Sequence, residues 1–150
     1  MELSDTVAIP ATREIVWQAL NNVDVLRQCI PGCQELTQDS PSEMAAKVTL
    51  KVGPVKAKFE GEVTLSEINA PESYVLSGAG KGGVAGFAKG SAIVRLEESS
   101  PNETVLHYDA RADVGGKIAQ LGSRLLDSTA KKLAKKFFED FSAVVAKSAT

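Results

Sequence analysis

The sequence predicts an α+β domain in which a curved antiparallel sheet of about seven strands wraps a long C-terminal helix, with two short helices after the first strand. Three observations carry that expectation. Cys33 to Val114 alternates apolar and polar residues with a period of two, Lys117 to Lys147 returns to a period of 3.6, and 150 residues that are 43% hydrophobic and 24% charged suit one domain, residues 1–150, rather than two.

The elements follow in order. Leu3 to Ile9 alternates through Val7 and Ile9 and stops at Pro10, as a strand does. Thr12 is placed to cap a helix whose first turn carries Glu14, where the macrodipole favours an acid, and Ile15, Val16, Ala19, Leu20 and Val23 give it an apolar side. Asn21-Asn22 interrupts that helix. Asn22 can cap a second short one, around Val23 to Cys29, which Pro31-Gly32 ends.

In the sheet region Ala46, Val48, Leu50 and Val52 share one strand face while Lys47, Thr49 and Lys51 share the other. After a Gly53-Pro54 turn, Val55, Ala57, Phe59, Gly61, Val63 and Leu65 repeat the dry face, with Lys56, Lys58, Glu60, Glu62, Thr64 and Ser66 opposite. Further strands are expected at Tyr74 to Ser77, Ser91 to Glu97 and Thr104 to Val114. Ala70-Pro71-Glu72, a glycine tract and Ser99-Ser100-Pro101-Asn102 separate them.

Gly115-Gly116 closes the sheet. On the following helix Leu126, Ala130, Leu133, Phe137, Phe141 and Val144 fall in one arc, and Lys131, Lys132, Lys135 and Lys136 occupy the opposite side. Ile118, Leu121 and Leu125 are offset from that arc by roughly 100°. Either Gly122 bends the helix and re-aims the stripe, or the front half turns its extra apolar side to something other than the sheet. A twisted sheet and one helix leave a cleft between them, which the dry strand face and the front of the helix would line.

Composition excludes several functions. With 17 Lys+Arg against 19 Asp+Glu, a net charge of −2 and a pI near 5.5, there is no broad basic field, so nucleic acid is not an expected partner. The longest uncharged stretch, Ile15 to Val23, is nine residues, far short of the roughly 20 of a spanning helix. The start, Met1-Glu2-Leu3-Ser4-Asp5, has an acid where a signal peptide wants a base. The expected location is therefore the cytoplasm. Cys29 and Cys33 make no disulfide framework, and with His107 the one histidine they lack the four ligands of a structural zinc site, so no metal and no cofactor are expected.

Two motifs resolve to bland readings. Gly78-x-Gly80-x-x-Gly83 has the letters of a dinucleotide fingerprint, but a strand follows where a helix must open, and Lys81 precedes Gly82 rather than Ser or Thr. A glycine hairpin or a bulged strand is the better account. His107 alternates with Asp109, Arg111 and Asp113, which points it toward water, so no catalytic residue is expected. The lysine face reads as solvated, with a weak contact to an anionic membrane surface or an acidic partner as its alternative use.

Four blocks in order carry a family resemblance: Pro31-Gly32-Cys33, Lys51 to Gly61, Gly80-Lys81-Gly82-Gly83 to Gly90, and Val114 to Gly122 running into Phe137-Phe138. Together they resemble the CoxG family of carbon monoxide dehydrogenase proteins, within the START-like (SRPBCC), helix-grip superfamily, over nearly the whole chain. The resemblance implies an apolar cavity between sheet and C-terminal helix, suited to a lipid-like or quinone-like molecule. It also implies a non-catalytic accessory of a molybdenum-dependent carbon monoxide dehydrogenase or related hydroxylase, at work beside the cytoplasmic membrane. Many members carry an apolar tail that is not expected here, because the sequence ends at Thr150. Residues expected to shape the cavity are Trp17, Val48, Leu50, Phe59, Phe87, Tyr108, Ile118, Leu121, Gly122 and Leu125, with Phe87 set against strict alternation by Gly86 and Ala88. Two other readings stay open: an adaptor that docks the dehydrogenase through its surface, and an enzyme of the cyclase or lyase kind.

Overall fold

A computed structural model describes residues 1–148; Ala149 and Thr150, the end of the expected domain, lie outside the described residues. Strand β1 (Glu2–Ile9) is followed by helices α1 (Arg13–Leu20) and α2 (Val23–Cys29). The meander then runs through β2 (Cys33–Ser40), β3 (Glu43–Val52), β4 (Val55–Asn69), β5 (Ser73–Lys81), β6 (Phe87–Ser100) and β7 (Glu103–Gly115), and α3 (Ser123–Ser148) ends it. The seven strands form one antiparallel sheet in the order β1-β7-β6-β5-β4-β3-β2. This is the α+β plan that the sequence predicts.

Both short helices start as the sequence requires. The Thr12 hydroxyl accepts the Ile15 amide at 3.3 Å, and the Asn22 side-chain oxygen accepts the amides of Asp24 and Val25 at 2.9 and 3.2 Å. Each bond satisfies a donor that the first helical turn leaves free. At the end of α2, Gly32 adopts φ +74° and its carbonyl accepts the Thr49 amide at 2.9 Å, which ties the helical segment to β3. Any side chain there would collide with the Thr49 carbonyl.

Two elements differ from expectation. Lys117 to Lys147 is not one helix: Lys117–Leu121 is a 3₁₀ turn, Gly122 takes φ +93°, and α3 begins at Ser123. Ile118, Leu121 and Leu125 fall off the helical arc because they straddle that break. β5 continues through Gly78 and Gly80 to Lys81, beyond the expected Ser77, since glycine supplies no side chain to reveal the alternation. A 3₁₀ turn, Gly83–Ala85, then makes the hairpin to β6 with positive φ at Gly83 and Gly86.

The core lies where β1, β7, α1 and the far end of α3 meet: Ile9, Val16, Leu106, Phe141 and Val145 are fully buried. Thr104, the buried polar residue among them, donates its hydroxyl to the Ala11 carbonyl at 2.8 Å. α3 packs on α1 and α2 and approaches the sheet at β1 and at β3, with no comparable approach to β4, β5 or β6. The middle of the sheet is thereby left uncovered by backbone. No described helix is long and apolar enough to cross a membrane.

Candidate functional site

A cavity of about 290 Å³ occupies the space that α3 does not fill. Its walls come from the dry faces of β2 to β7, including Leu36, Leu65, Leu76, Val94 and Leu106, from Leu20 and Leu26 of the short helices, and from Phe137 and Phe138 of α3. Among the described residues no charged side chain lines it. Its side-chain hydroxyls belong to Tyr74 and Tyr108, and neither has a hydrogen-bond partner among the described residues. A tyrosine hydroxyl on a buried residue usually finds a partner, so that of Tyr74 is free to donate to a guest. Burial pushes both phenols above their ordinary pKa, with the Asp5 carboxylate adding to the effect at Tyr108.

Tyr108 and Phe138 stack at 5.3 Å, with planes 20° apart, and form a wall. On its other side lies an open groove of about 670 Å³ between β1 and α3, lined by Leu3, Asp5, Val7, Lys131, Lys135 and Glu139. The same two rings line both spaces. Behind Tyr74, Trp17 packs edge-on at 5.4 Å and fixes that ring from α1.

From the cavity toward the β3–β4 hairpin the dry face becomes a floor of small residues. Gly61, Gly80 and Ala88 are in register across β4, β5 and β6, and Gly78, Gly90 and Ala112 form the next rung. All six are half-buried. Side chains this short do not reach across to α3, and glycine within strands commonly marks the close approach of a ligand or another backbone.

Of the residues expected to line a cavity, Tyr108 borders the 290 Å³ space. Trp17 backs it through Tyr74. Val48, Leu50 and Phe59 are half-buried on the dry face nearer the hairpin end. Ile118 is buried in the 3₁₀ turn, Leu121 is half-buried there, and Leu125 reaches Gly53 of the hairpin. Gly122 is exposed, and a Cβ there would meet nothing within 4 Å, so this position does not border the interior. Phe87 is 50% exposed on the outer face, its ring against Gly115, as strict alternation with Gly86 and Ala88 requires.

Sequence reasoning missed Tyr74 and Phe138. Tyr74 shares the parity of Leu76, which a register count from the dry face gives. The Phe137-Phe138 doublet sets two rings about 100° apart on a helix, so they take different ring partners although both line the cavity. Phe137 stacks on Phe141 in the core, and Phe138 turns to Tyr108.

The remaining candidates lie elsewhere. His107 is on the outer face, 3.6 Å from a Glu97 carboxylate oxygen. Lys131 and Lys135 edge the β1 groove, Lys136 pairs with Asp140 at 2.9 Å, and Lys132 is exposed. Cys29 is buried and Cys33 half-buried, and burial raises both thiol pKa values. Among the described residues no three His, Cys, Asp or Glu side chains converge on a point that could hold a metal.

The chain is similar to several known proteins. The family model for CoxG, a carbon monoxide dehydrogenase subunit, matches residues 6–146. A crystal structure of a conserved protein from Geobacillus kaustophilus is 30% identical, with a TM-score of 0.93 over 100% of this chain and 98% of that one. A START superfamily protein from Mycobacterium smegmatis is 14% identical, TM-score 0.75, covering 97% of each chain. The Zhui aromatase/cyclase from Streptomyces sp. R1128, also 14% identical, has a TM-score of 0.68 over 98% of this chain and 94% of that one. These last two establish a shared START-like fold. No curated protein matches the sequence.

Proposed function

The chain belongs to the CoxG family of carbon monoxide dehydrogenase subunits, and on that premise we propose that it is a non-catalytic accessory protein of a carbon monoxide dehydrogenase-type molybdenum hydroxylase. It holds a hydrophobic, lipid- or quinone-like molecule between the sheet and α3. The observation that carries this reading is a cavity of about 290 Å³, lined among the described residues by no charged side chain and by two tyrosines whose hydroxyls have no protein partner there. An apolar space favours an apolar guest, and an unpaired donor in it favours a guest with a carbonyl-type acceptor. The small-residue floor gives a longer guest room to run toward the hairpin end.

The same lining supports a binding role over a catalytic one. General acid–base work needs a group whose pKa lies near the working pH. The ionisable groups on the wall are phenols that burial pushes further from neutrality.

The test is native mass spectrometry of gently purified protein, with organic extraction of any adduct, followed by thermal melts with added quinones. A bound, extractable lipophile is expected. At about 100 times Kd, a ligand adds about 2.7 kcal/mol, a rise of roughly 5–10 °C in Tm for a domain of this size. Protein that carries no adduct and melts at the same temperature with every quinone would sink the reading.

A further inference from the structure

Two spaces meet at one pair of rings. Hydrogen-bonded strands close the sheet side of the 290 Å³ cavity, with β5 and β6 in unbroken register, and a guest does not pass between them. Toward the end of α3 the packed core begins at Phe141 and Val145, both fully buried. The side facing β1 is different. From Ser123 to Asp140 no residue of α3 is fully buried, and what separates the cavity from the 670 Å³ groove is the Tyr108–Phe138 stack, which lines both.

Three features leave that stack uncovered and unlatched on its groove side. Asp5 faces Tyr108 in register on β1, on the inward side of the strand between Leu3 and Val7. It is short and exposed, and its carboxylate accepts the Thr6 amide at 2.8 Å. Ala134 lies one helical turn before Phe138, where a helical side chain leans, and offers only a methyl group there. The Tyr108 hydroxyl has no hydrogen-bond partner among the described residues, so no directional bond holds the two rings together. Phe137, by contrast, is fixed by its own stack on Phe141.

We propose that the Tyr108–Phe138 stack is the gate by which a guest enters and leaves the cavity, and that the β1–α3 groove is its approach. The inference rests on the reading that the cavity holds a guest. A turn of Phe138 about its side-chain bonds, over Ala134, joins the two spaces without breaking a backbone hydrogen bond or uncovering Phe141. Such a rotamer change is far faster than opening of the fold. The groove suits passage rather than residence. Leu3, Val7 and Ala134 give it apolar contact, while Lys131 and Lys135 are balanced by Asp5 and Glu139, so no net charge selects an ion. A flat, neutral molecule is the guest that crosses it most readily.

Stopped-flow quenching of Trp17 in the full chain tests the gate, because this one tryptophan packs on Tyr74 behind the cavity. The probe is duroquinone, a small, fully methylated quinone with no free ring position for a thiol to attack. Phe138→Ala removes one leaf and is expected to raise the association and dissociation rates together, each by more than about tenfold. Ala134→Phe obstructs the groove and is expected to slow both by more than about tenfold, with Kd within about threefold of the parent, because Ala134 lines the groove and not the cavity. Ala134→Leu, a milder change, should move the rates in the same direction, and thermal melts show that each variant is folded. Rates that stay at the parental values in the Phe138 and Ala134 variants overturn the proposal. So does slowing by Gly80→Leu without slowing by Ala134→Phe, which would put the route over the small-residue floor. A parent that duroquinone does not quench and that carries no adduct removes the cavity reading and the gate together, whereas a parent that binds with rates indifferent to these variants removes the gate alone.

Discussion

Tyr74 shows how much one buried hydroxyl can report. It is 6% exposed, wedged between Trp17 and the cavity, and burial holds its pKa well above the ordinary tyrosine value of 10.0. The folded state keeps the phenol proton where the unfolded chain releases it. The stability this contributes is complete below about pH 10 and is lost as pH rises beyond it, at about 1.4 kcal/mol per pH unit for each such group. Urea titrations should therefore show a midpoint that falls above pH 10, with a shallower fall in Tyr74→Phe. At neutral pH the same variant should unfold within about 0.5 kcal/mol of the parent, because the hydroxyl has no protein partner to lose. An equally steep alkaline fall in Tyr74→Phe would show that this phenol is not the group responsible.

At the scale of elements, glycine decides where the secondary structure bends. The Gly83–Ala85 turn and the β7–α3 link touch through Gly86 and Gly116, both at positive φ. A Cβ on Gly86 would overlap the Gly115 carbonyl, and the left-handed backbone adds strain of its own. Gly86→Ala should cost about 2–4 kcal/mol in chemical denaturation, whereas Gly83→Ala, with open space around its Cβ, should cost only the conformational part, about 1 kcal/mol. Equal losses at the two positions would remove the contact between the connections as the reason. The caps at Thr12 and Asn22 and the strands of β3 and β4 were legible in the sequence because each is set by residues within a few positions of one another. The break at Gly122 was legible only as one of two options, since a glycine inside a helical period is compatible with a bend or with an uninterrupted helix.

For the molecule as a whole, the sheet, α3 and the cavity between them form one device, and a substitution can fill the space without touching the surface. Ala92 lines the cavity on β6, between Leu76 and Ala110 in register. Ala92→Phe should abolish any extractable adduct and any quinone-induced rise in Tm while leaving the far-UV circular dichroism of the parent. Pull-down of dehydrogenase subunits by this variant would separate the proposed ligand-binding role from docking through the surface. Retained subunits with an empty cavity would mean that the surface does the docking and the guest serves another step. A variant that still binds quinones would show that the guest lies elsewhere, over the floor of Gly78, Gly80 and Gly90.

By itself the sequence determined the α+β plan, the dry and wet strand faces and the two capped helices, because alternation, caps and turn residues act over a few neighbours and need no partner. The tertiary structure alone decided which dry-face residues meet empty space. α3 meets the sheet at β1 and β3 and stands off its middle, so Tyr74, Tyr108 and Phe138 surround the cavity while Val48, Leu50 and Leu125 lie toward the hairpin end. It also decided where charges gather, since Lys56, Lys81, Lys117 and Arg124 are far apart in the chain and lie toward one end of the sheet only because antiparallel pairing puts alternate connections there. Both outcomes depend on contacts between distant segments, which a local pattern cannot encode.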